Sequence, residues 1–593
     1  MVNPFEVNTP EGILAKDVHE LFVDVFSDFH QVPKVGHTFL NGPRGSGKSM
    51  MFRYMMPDCQ IIEKGCLLNE LDYFALYVPI KLTDLNNKEI EKLKTNSYVY
   101  INEHLLTTFI AIKCFKSLLI FDNEINNLLN EFKDFYQEVF LWHLDIAGFD
   151  IKESKKEYSS TKDYITAIIK LLDRIYRECL LYCKRSLDEY KPYKGPLMSY
   201  LDFLFPILQA LRELSFFPEH KPFYILIDDA GYLNEIQTQI LNTWVSYRTS
   251  NEVSLKISTQ LDYKSYKTIT NKTIDFPHDY SQVNIATLYT TSHNTYYKRI
   301  KDIVKKRLKT YFDKEVEPRS FFPANQKQEE AINELKIKLK EDYYDPEKSH
   351  AAGDASRRYA SSEYIKALKK SRSGSTLSYA GFDNLVDISS GIIRHFLEPA
   401  SIMFSEFIAQ NSNVSKKIPD YIPENIQNEI IQNYSKKFLD DEFVKIKEVH
   451  IKKEGEKLSK ADKLHNLITG LGEIFHLIFT SDKAERIVFS VALNDAPNDE
   501  LQDILDLAEH YGYLHKSTIG NKMGTGRSRL YVLSRTLAPY FRLDPAGFKG
   551  YQFMNSSMLS ICLTNPRRFV SEMKKEINND KDTIQLDIFD EES

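Results

Sequence analysis

The sequence predicts an α/β chain: a parallel sheet with helices on both faces, a large helical insertion, an all-helical region, and a C-terminal module of helix and Gly-rich hairpin. Three observations carry this. Gly42-Pro43-Arg44-Gly45-Ser46-Gly47-Lys48-Ser49 matches G-x-x-x-x-G-K-[ST], set between an apolar run and a helical pattern. Pro222-Phe223-Tyr224-Ile225-Leu226-Ile227-Asp228-Asp229 is a second apolar run, ending in two acids. Residues 98–217 between them are aromatic-rich and helical in pattern, too long for a single crossover.

The first motif is a phosphate cradle by its chemistry. Glycines at 42, 45 and 47 allow the tight turn that converges backbone N–H groups on phosphate oxygens. Lys48 would reach the β- and γ-phosphates as a point charge, and the Ser49 hydroxyl would help hold Mg²⁺. The helix that continues through Met50 presents its positive N-terminal end to the same phosphates. ATP with Mg²⁺ is therefore the expected cofactor pair. In the second motif Asp228 would bind Mg²⁺ through water, and Asp229 would orient or deprotonate the attacking water. The bland alternative is a core strand with a capping Asp-Asp.

In chain order, a helix is expected over 15–29, with Leu21, Phe22, Val25 and Phe26 at helical spacing, then strand 38–40, the loop and its helix. Strand 73–80, the insertion 98–217, the strand before Asp228 and helix 235–247 follow. The next strand, 253–259, ends in hydroxyls, and 283–288 could be the last. This gives a nucleotide-binding core over 1–294. From 295 to about 410 the pattern is helical, except for a polar segment at 345–377 bearing Arg357, Arg358, Lys366, Lys369, Lys370 and Arg372. That segment reads as a solvated basic loop, or as a nucleic-acid or partner contact. Residues 411–460 are polar and read as a linker. From 461 to about 560 the order helix, strand, helix, strand, Gly-rich loop, strand is a winged-helix arrangement. No Asp or Glu lies between His510 and Leu543, while Lys516, Lys522, Arg527 and Arg529 lie on the hairpin. Cations without nearby carboxylates suit phosphate contact, so duplex DNA is the expected partner, with protein contact the alternative.

The whole composition sets limits. With 593 residues the chain should hold three or four domains, and 42% hydrophobic with 27% charged residues is ordinary for a globular protein. A net charge of −6 and pI near 6.2 confine any nucleic-acid contact to local basic patches. No apolar run approaches the ~20 residues of a membrane span, and the start shows no basic-then-apolar signal, so a cytoplasmic location without membrane contact is expected. Six cysteines without a C-x-x-C pattern argue against a zinc site; Cys179 and Cys183, one helical turn apart, read as core thiols.

Together these stretches resemble the AAA+ ATPases of the origin-recognition, or replication-initiator, clade, and most closely their bacterial relatives. The resemblance rests on Asn3-Pro4-Phe5-Glu6, the loop at 42–49, Ile227-Asp228-Asp229, Lys256-Ile257-Ser258-Thr259, Ser390-Gly391-Ile392-Ile393-Arg394, and the terminal winged helix. It implies a P-loop AAA+ core with a helical lid over 295–410. It implies also that Ser258 or Thr259 is sensor 1, and that Arg394, one turn inside a helix, is the sensor 2 arginine. The winged helix would place its helix in the DNA major groove and its wing on the backbone. Two departures stand out. Initiators usually carry Asp-Glu where this chain has Asp228-Asp229, which points to slow hydrolysis and a switch role. No arginine lies between Thr259 and Thr290, where a trans-acting finger is usually found, and Arg248 is a weak substitute.

A second function remains open on the same residues: a signalling or scaffold NTPase of the STAND type, forming a homo-oligomer or acting with an effector protein in a defence or stress system. Finally, the acidic tail 571–593 carries Gln585-Leu586-Asp587-Ile588-Phe589. This resembles the pentapeptide by which bacterial replication and repair proteins dock on the sliding clamp, with Ile588 where Leu is usual.

Overall fold

The structure, a computed structural model, describes residues 3–7, 9–23, 29–80, 95–185, 193–247, 249, 251–260, 263, 265–285, 293–344, 351–370, 377–411, 419–452, 455–481, 487–520, 527–546 and 550–579. The chain divides into two compact units. One holds Asn8–Gly42 and Gly47–Ile285; the other holds Met1–Val7, Pro43–Ser46 and Ala286–Ser593.

The first unit is built on a five-stranded sheet. Its strands are β1 (Thr38–Asn41), β2 (Phe74–Pro79), β3 (Phe223–Asp228), β4 (Val253–Thr259) and β5 (Ser281–Asn284), in the spatial order β2-β3-β4-β1-β5. All neighbours are parallel, as the sequence predicts. β3 and β4 are buried along their whole length, which is why they read as unbroken apolar runs. Alternation divides the faces. Phe39, Leu76, Ile225, Ile227, Leu255 and Ile257 enter one apolar cluster. The registers Tyr77↔Leu226, Leu226↔Lys256 and Leu40↔Ser258 put Tyr77, Asp228 and Ser258 together on the other face.

The 98–217 insertion shares this core and is no separate body. Its helices Thr95–Leu118 and Thr161–Arg185, and π-helical turns at Phe135–Phe140 and Tyr200–Leu204, send Phe109, Phe115, Tyr136, Tyr164 and Phe203 into the same cluster as the strands. Within it, Tyr98–Phe121 is long and apolar enough to cross a membrane, which corrects the sequence expectation of no such run. Its most apolar window is 78% buried inside the protein, so core packing accounts for the composition.

Lys256 shows why an apolar strand keeps one cation. Fully buried in β4, its Nζ donates to Lys34 O at 2.5 Å, Gly36 O at 2.7 Å and the Thr38 hydroxyl at 3.1 Å, and lies 4.6 Å from the Tyr224 ring centre. Three oxygens match the three N–H donors of an ammonium, tying the lead-in to β1 onto β4.

Two element boundaries depart from expectation. The first helix is Ala15–Leu21, closing where Phe22 N donates to Val18 O at 2.8 Å, and positions 24–28 lie outside the described residues. The last strand starts earlier than expected, at Ser281. Helix Glu235–Ser246 is fixed by a capping box of Asn234 and Gln237.

In the second unit the basic-loop reading of 345–377 is corrected. Ala351–Lys370 is a helix packed against Gln326–Asp342, with Ile365 buried and the Ser362 hydroxyl donating to Phe479 O at 3.1 Å. Arg372 lies outside the described residues. The linker reading of 411–460 is corrected too, since Glu424–Val449 is a 26-residue helix burying Ile426, Ile431, Leu439 and Ile446. The N-terminal motif anchors here: Phe5 is fully buried against Phe321, Phe322 and Phe404. Asn3 Nδ2 donates to Ser401 O at 2.8 Å, and Arg307 donates to Pro4 O at 2.9 Å. Burying that one phenyl ring is worth roughly 1.5–3 kcal/mol.

A four-stranded sheet closes this unit, with β6 (Val488–Leu493), β7 (Leu514–Gly520), β8 (Arg527–Leu533) and β9 (Gly550–Met554) in the order β7-β8-β6-β9. β7 and β8 form an antiparallel hairpin, and helices Lys460–Phe479 and Asp499–His510 pack into the shared core.

Candidate nucleotide site

The phosphate loop begins where two strand ends are tied. Gly42 N donates to Thr259 O at 3.2 Å, and the Thr259 hydroxyl donates to Asn41 Oδ1 at 2.6 Å. Gly47, at φ 99°, caps helix Lys48–Met55, whose ladder starts with Met51 N on Gly47 O at 3.0 Å. By helix geometry the first-turn amides of Lys48, Ser49 and Met50 point back toward the loop, at the positive end of the helix dipole. Lys48 is buried, with Nζ donating to Gly42 O at 2.8 Å, so its ammonium lies back along the loop it belongs to.

In the same unit the acid pair is held by hydroxyls. Asp228 is buried at the end of β3. Its Oδ1 accepts from the Ser258 hydroxyl and from Asp229 N at 3.2 Å, and its Oδ2 accepts from Tyr77 OH at 2.8 Å. Asp229 N also donates to the Ser258 oxygen at 2.8 Å. Asp229 itself stands at φ 58°, in the left-handed region, where Asp is among the few side chains tolerated. Ser258 therefore meets the acid pair, whereas Thr259 meets Asn41; the sequence left that choice open. Tyr77 was not anticipated: no motif marks it, and it stands 151 positions from Asp228.

In the second unit, Pro43–Ser46 turns tightly, Ser46 N donating to Pro43 O at 3.3 Å, with Arg44 exposed. Gly45 sits at φ 85°, and a Cβ there would lie 2.7 Å from Arg394 Cβ, so only glycine fits. Arg394 N donates to Gly45 O at 3.1 Å. Arg394 is the second residue of helix Ile393–Asn411, entered through Ser390 at φ 53° and Gly391 at φ 81°, and not one turn inside it. Its backbone thus reaches the loop's apex.

That entry segment is fixed by a polar cluster. The Ser390 hydroxyl oxygen accepts from Arg535 N at 3.1 Å and lies 3.3 Å from His515 Nε2. His395 Nδ1 lies 3.0 Å from the Thr536 hydroxyl, which spends its one proton on Ile388 O at 2.9 Å. His395 must therefore donate from Nδ1. Burial, then the charges of His515 and Arg394, push His395 down to about 3; burial, then Arg535, push His515 to about 4. Both are neutral at pH 7. The unfolded chain takes up protons below about pH 6.5 and the folded one does not, so stability falls as pH drops from 6.5 toward 4. At pH 5 the loss is about 2 kcal/mol per histidine. We expect the melting temperature to fall from pH 7.5 to pH 5, and His395→Gln to flatten that dependence. Parallel pH profiles for parent and variant would contradict it.

The residues fit a magnesium nucleotide. Ser46 Oγ is buried in the loop with no hydrogen-bond partner among the described residues. In the first unit, the buried Asp228 carboxylate and the Ser49 hydroxyl are hard oxygen donors. No cluster of His, Cys, Asp or Glu suited to a separate metal is present among the described residues.

The hairpin carries the candidate DNA contacts. Lys516 and Arg529 are exposed, with Arg527 exposed near the tip. The pairs Lys516↔Tyr531, Thr518↔Arg529 and Gly520↔Arg527 put all three cations on one face. Lys522, Arg248 and 585–589 lie outside the described residues. Helix Asp499–His510 has the opposite sign. It exposes Asp499, Glu500, Asp503 and Asp506, pairs Glu500 with Lys463 and Asp503 with Lys460, and takes Arg529 onto Gln502 at 2.5 Å.

A phosphate loop after β1, an acid pair after β3 and hydroxyls ending β4, on a parallel sheet with β1 between β4 and β5, define a P-loop protein of AAA+ type. The ORC-CDC6-like family matches residues 3–351 and 327–553, and the chain belongs to it. No curated protein matches the chain. Among the solved structures similar to this chain are two. One is the Aeropyrum pernix ORC1 protein in complex with DNA, at 9% identity over 90% of this chain and 93% of that one, TM-score 0.26. The other is Cdc6p from Pyrobaculum aerophilum, at 13% identity over 97% and 98%, TM-score 0.24.

Proposed function

We propose that the protein is an ATP-binding switch that hydrolyses ATP slowly and contacts duplex DNA through its β7–β8 hairpin. The observation that carries the reading is the Ser258–Asp228–Asp229 hydrogen-bond network at the strand ends beside the loop. Lys48 and the first-turn amides would hold the phosphates, and Ser49 and Asp228 the Mg²⁺; the family resemblance gives Arg394 the sensor 2 role. The metal, when bound, neutralises charge on the β- and γ-oxygens. Asp229 would orient the attacking water, with Ser258 as sensor 1. Family membership supports the ATPase class.

For DNA, the C-terminal unit's last module is read as a winged helix, with one change from expectation. The exposed acids of Asp499–His510 would repel phosphates, so the hairpin and not this helix is the duplex contact. Replacing Lys516, Arg527 and Arg529 together by Ala should weaken duplex binding uniformly across sequences and lower the log K against log[salt] slope by about one unit per lost contact. An unchanged slope would refute the hairpin assignment. That same acidic helix favours a second reading, in which the module packs on protein as in STAND-type NTPases, with a homo-oligomer or effector as partner. Docking of 585–589 on a sliding clamp belongs to the first reading and is tested with the isolated tail peptide.

A further inference from the structure

Among the described residues, Asp228 receives three donors from three elements. β4 supplies the Ser258 hydroxyl, the turn after β3 supplies Asp229 N at 3.2 Å, and β2 supplies Tyr77 OH at 2.8 Å. A carboxylate offers about four lone-pair sites. Oδ1 takes the Ser258 hydroxyl and the longer branch of a shared bond, since Asp229 N donates its one proton mainly to the Ser258 oxygen at 2.8 Å; Oδ2 takes Tyr77 alone and keeps one lone pair. A ligand that approaches Oδ2 does so along the lone pair that Tyr77 leaves.

Tyr77 itself is held firmly. β2 stays in register with β3 to its end, Pro79 opposite Asp228, with Ile80 N donating to Asp228 O at 2.9 Å. Tyr77 N donates to the Ser117 hydroxyl at 3.4 Å, and Ser117 belongs to Thr95–Leu118, the first helix of the insertion. The phenol thus stands on a strand clamped from one side by β3 and approached on its amide by the insertion.

We propose that Tyr77 is a positioning residue: it fixes the carboxylate plane of Asp228 so that Oδ2 offers one directed lone pair to the hydrated Mg²⁺ of a bound nucleotide. The proposal rests on the nucleotide reading of this site. Without the phenol O–H, Oδ2 in a buried site loses its fixed orientation. Donors that orient a metal-binding carboxylate typically contribute 10–100-fold to metal affinity. The amine and amides that hold the phosphates are untouched, so binding that does not use the metal should not change.

The test is ATP binding by calorimetry to the full chain, across a Mg²⁺ titration and in EDTA, for the parent, Tyr77→Phe and Lys48→Ala. Phe keeps the ring, and unchanged melting shows that the fold survives. The expected result for Tyr77→Phe is a Mg²⁺ midpoint raised about tenfold, with ATP affinity in EDTA equal to the parent's. An unmoved or lowered midpoint, with Lys48→Ala defective, overturns the Tyr77 assignment alone. Equal losses for Tyr77→Phe with and without Mg²⁺ overturn it too, as they indicate general distortion. If Lys48→Ala binds ATP like the parent, the nucleotide reading fails and this inference with it.

Discussion

Lys48→Ala is expected to abolish tight ATP binding. Lys48 is the loop's one buried side-chain cation, the first residue of its helix, and its Nζ lies 2.8 Å from Gly42 O, inside the turn. Charge-assisted hydrogen bonds contribute about 1.5–3 kcal/mol each. Losing an ammonium shared by two phosphates should therefore weaken binding at least about 100-fold, or ~2.7 kcal/mol. Alanine suits the first helical turn, so the fold should be kept. Calorimetric titration with Mg²⁺ and ATP checks it, and a dissociation constant within about threefold of the parent's would remove the loop from the site.

Asp229→Asn should separate binding from turnover. Asn tolerates the left-handed backbone at φ 58°, and the two contacts of Asp229 N, to Ser258 and Asp228, are made by the backbone and survive the change. What is lost is a base of the kind that contributes roughly 10²–10⁴-fold to a rate. ATP affinity should change by less than about threefold, while single-turnover hydrolysis falls by about two orders of magnitude or more. A variant that turns over like the parent would show that Asp229 does not handle the water. The parent's own rate bears on the Asp-Asp departure. A carboxylate one methylene shorter than Glu, on a turn rather than a strand, is consistent with a slow switch.

Much of the first unit was legible because parallel strands are buried on both faces: β3 and β4 read as strands directly, and the loop motif located β1. Tyr77 was illegible for a different reason. Its partner comes from a strand reached only after the long insertion, and a tyrosine in an aromatic-rich run carries no signal of its own. Glu424–Val449 was misread because charged residues outnumber its buried ones; Ile431, Leu439 and Ile446 do follow a helical face, but polar composition masked it. Ala351–Lys370 was missed because its small residues, Ala and Ser, give almost no amphipathic contrast. The acids of Asp499–His510 were in plain view. Their consequence emerged only once the helix preceding the hairpin was seen to expose them while the cations lined the hairpin face.

The proposed switch requires that nucleotide occupancy of this loop alter duplex affinity. Duplex affinity of the full chain, measured by anisotropy at fixed salt with Mg²⁺ and ATP, with Mg²⁺ and ADP, and without nucleotide, tests it most directly. A switch with an ordinary coupling free energy of 1–3 kcal/mol predicts at least about a fivefold difference between the ATP and ADP states, absent in Lys48→Ala. Equal affinities in all three states, with ATP shown to be bound, would contradict it.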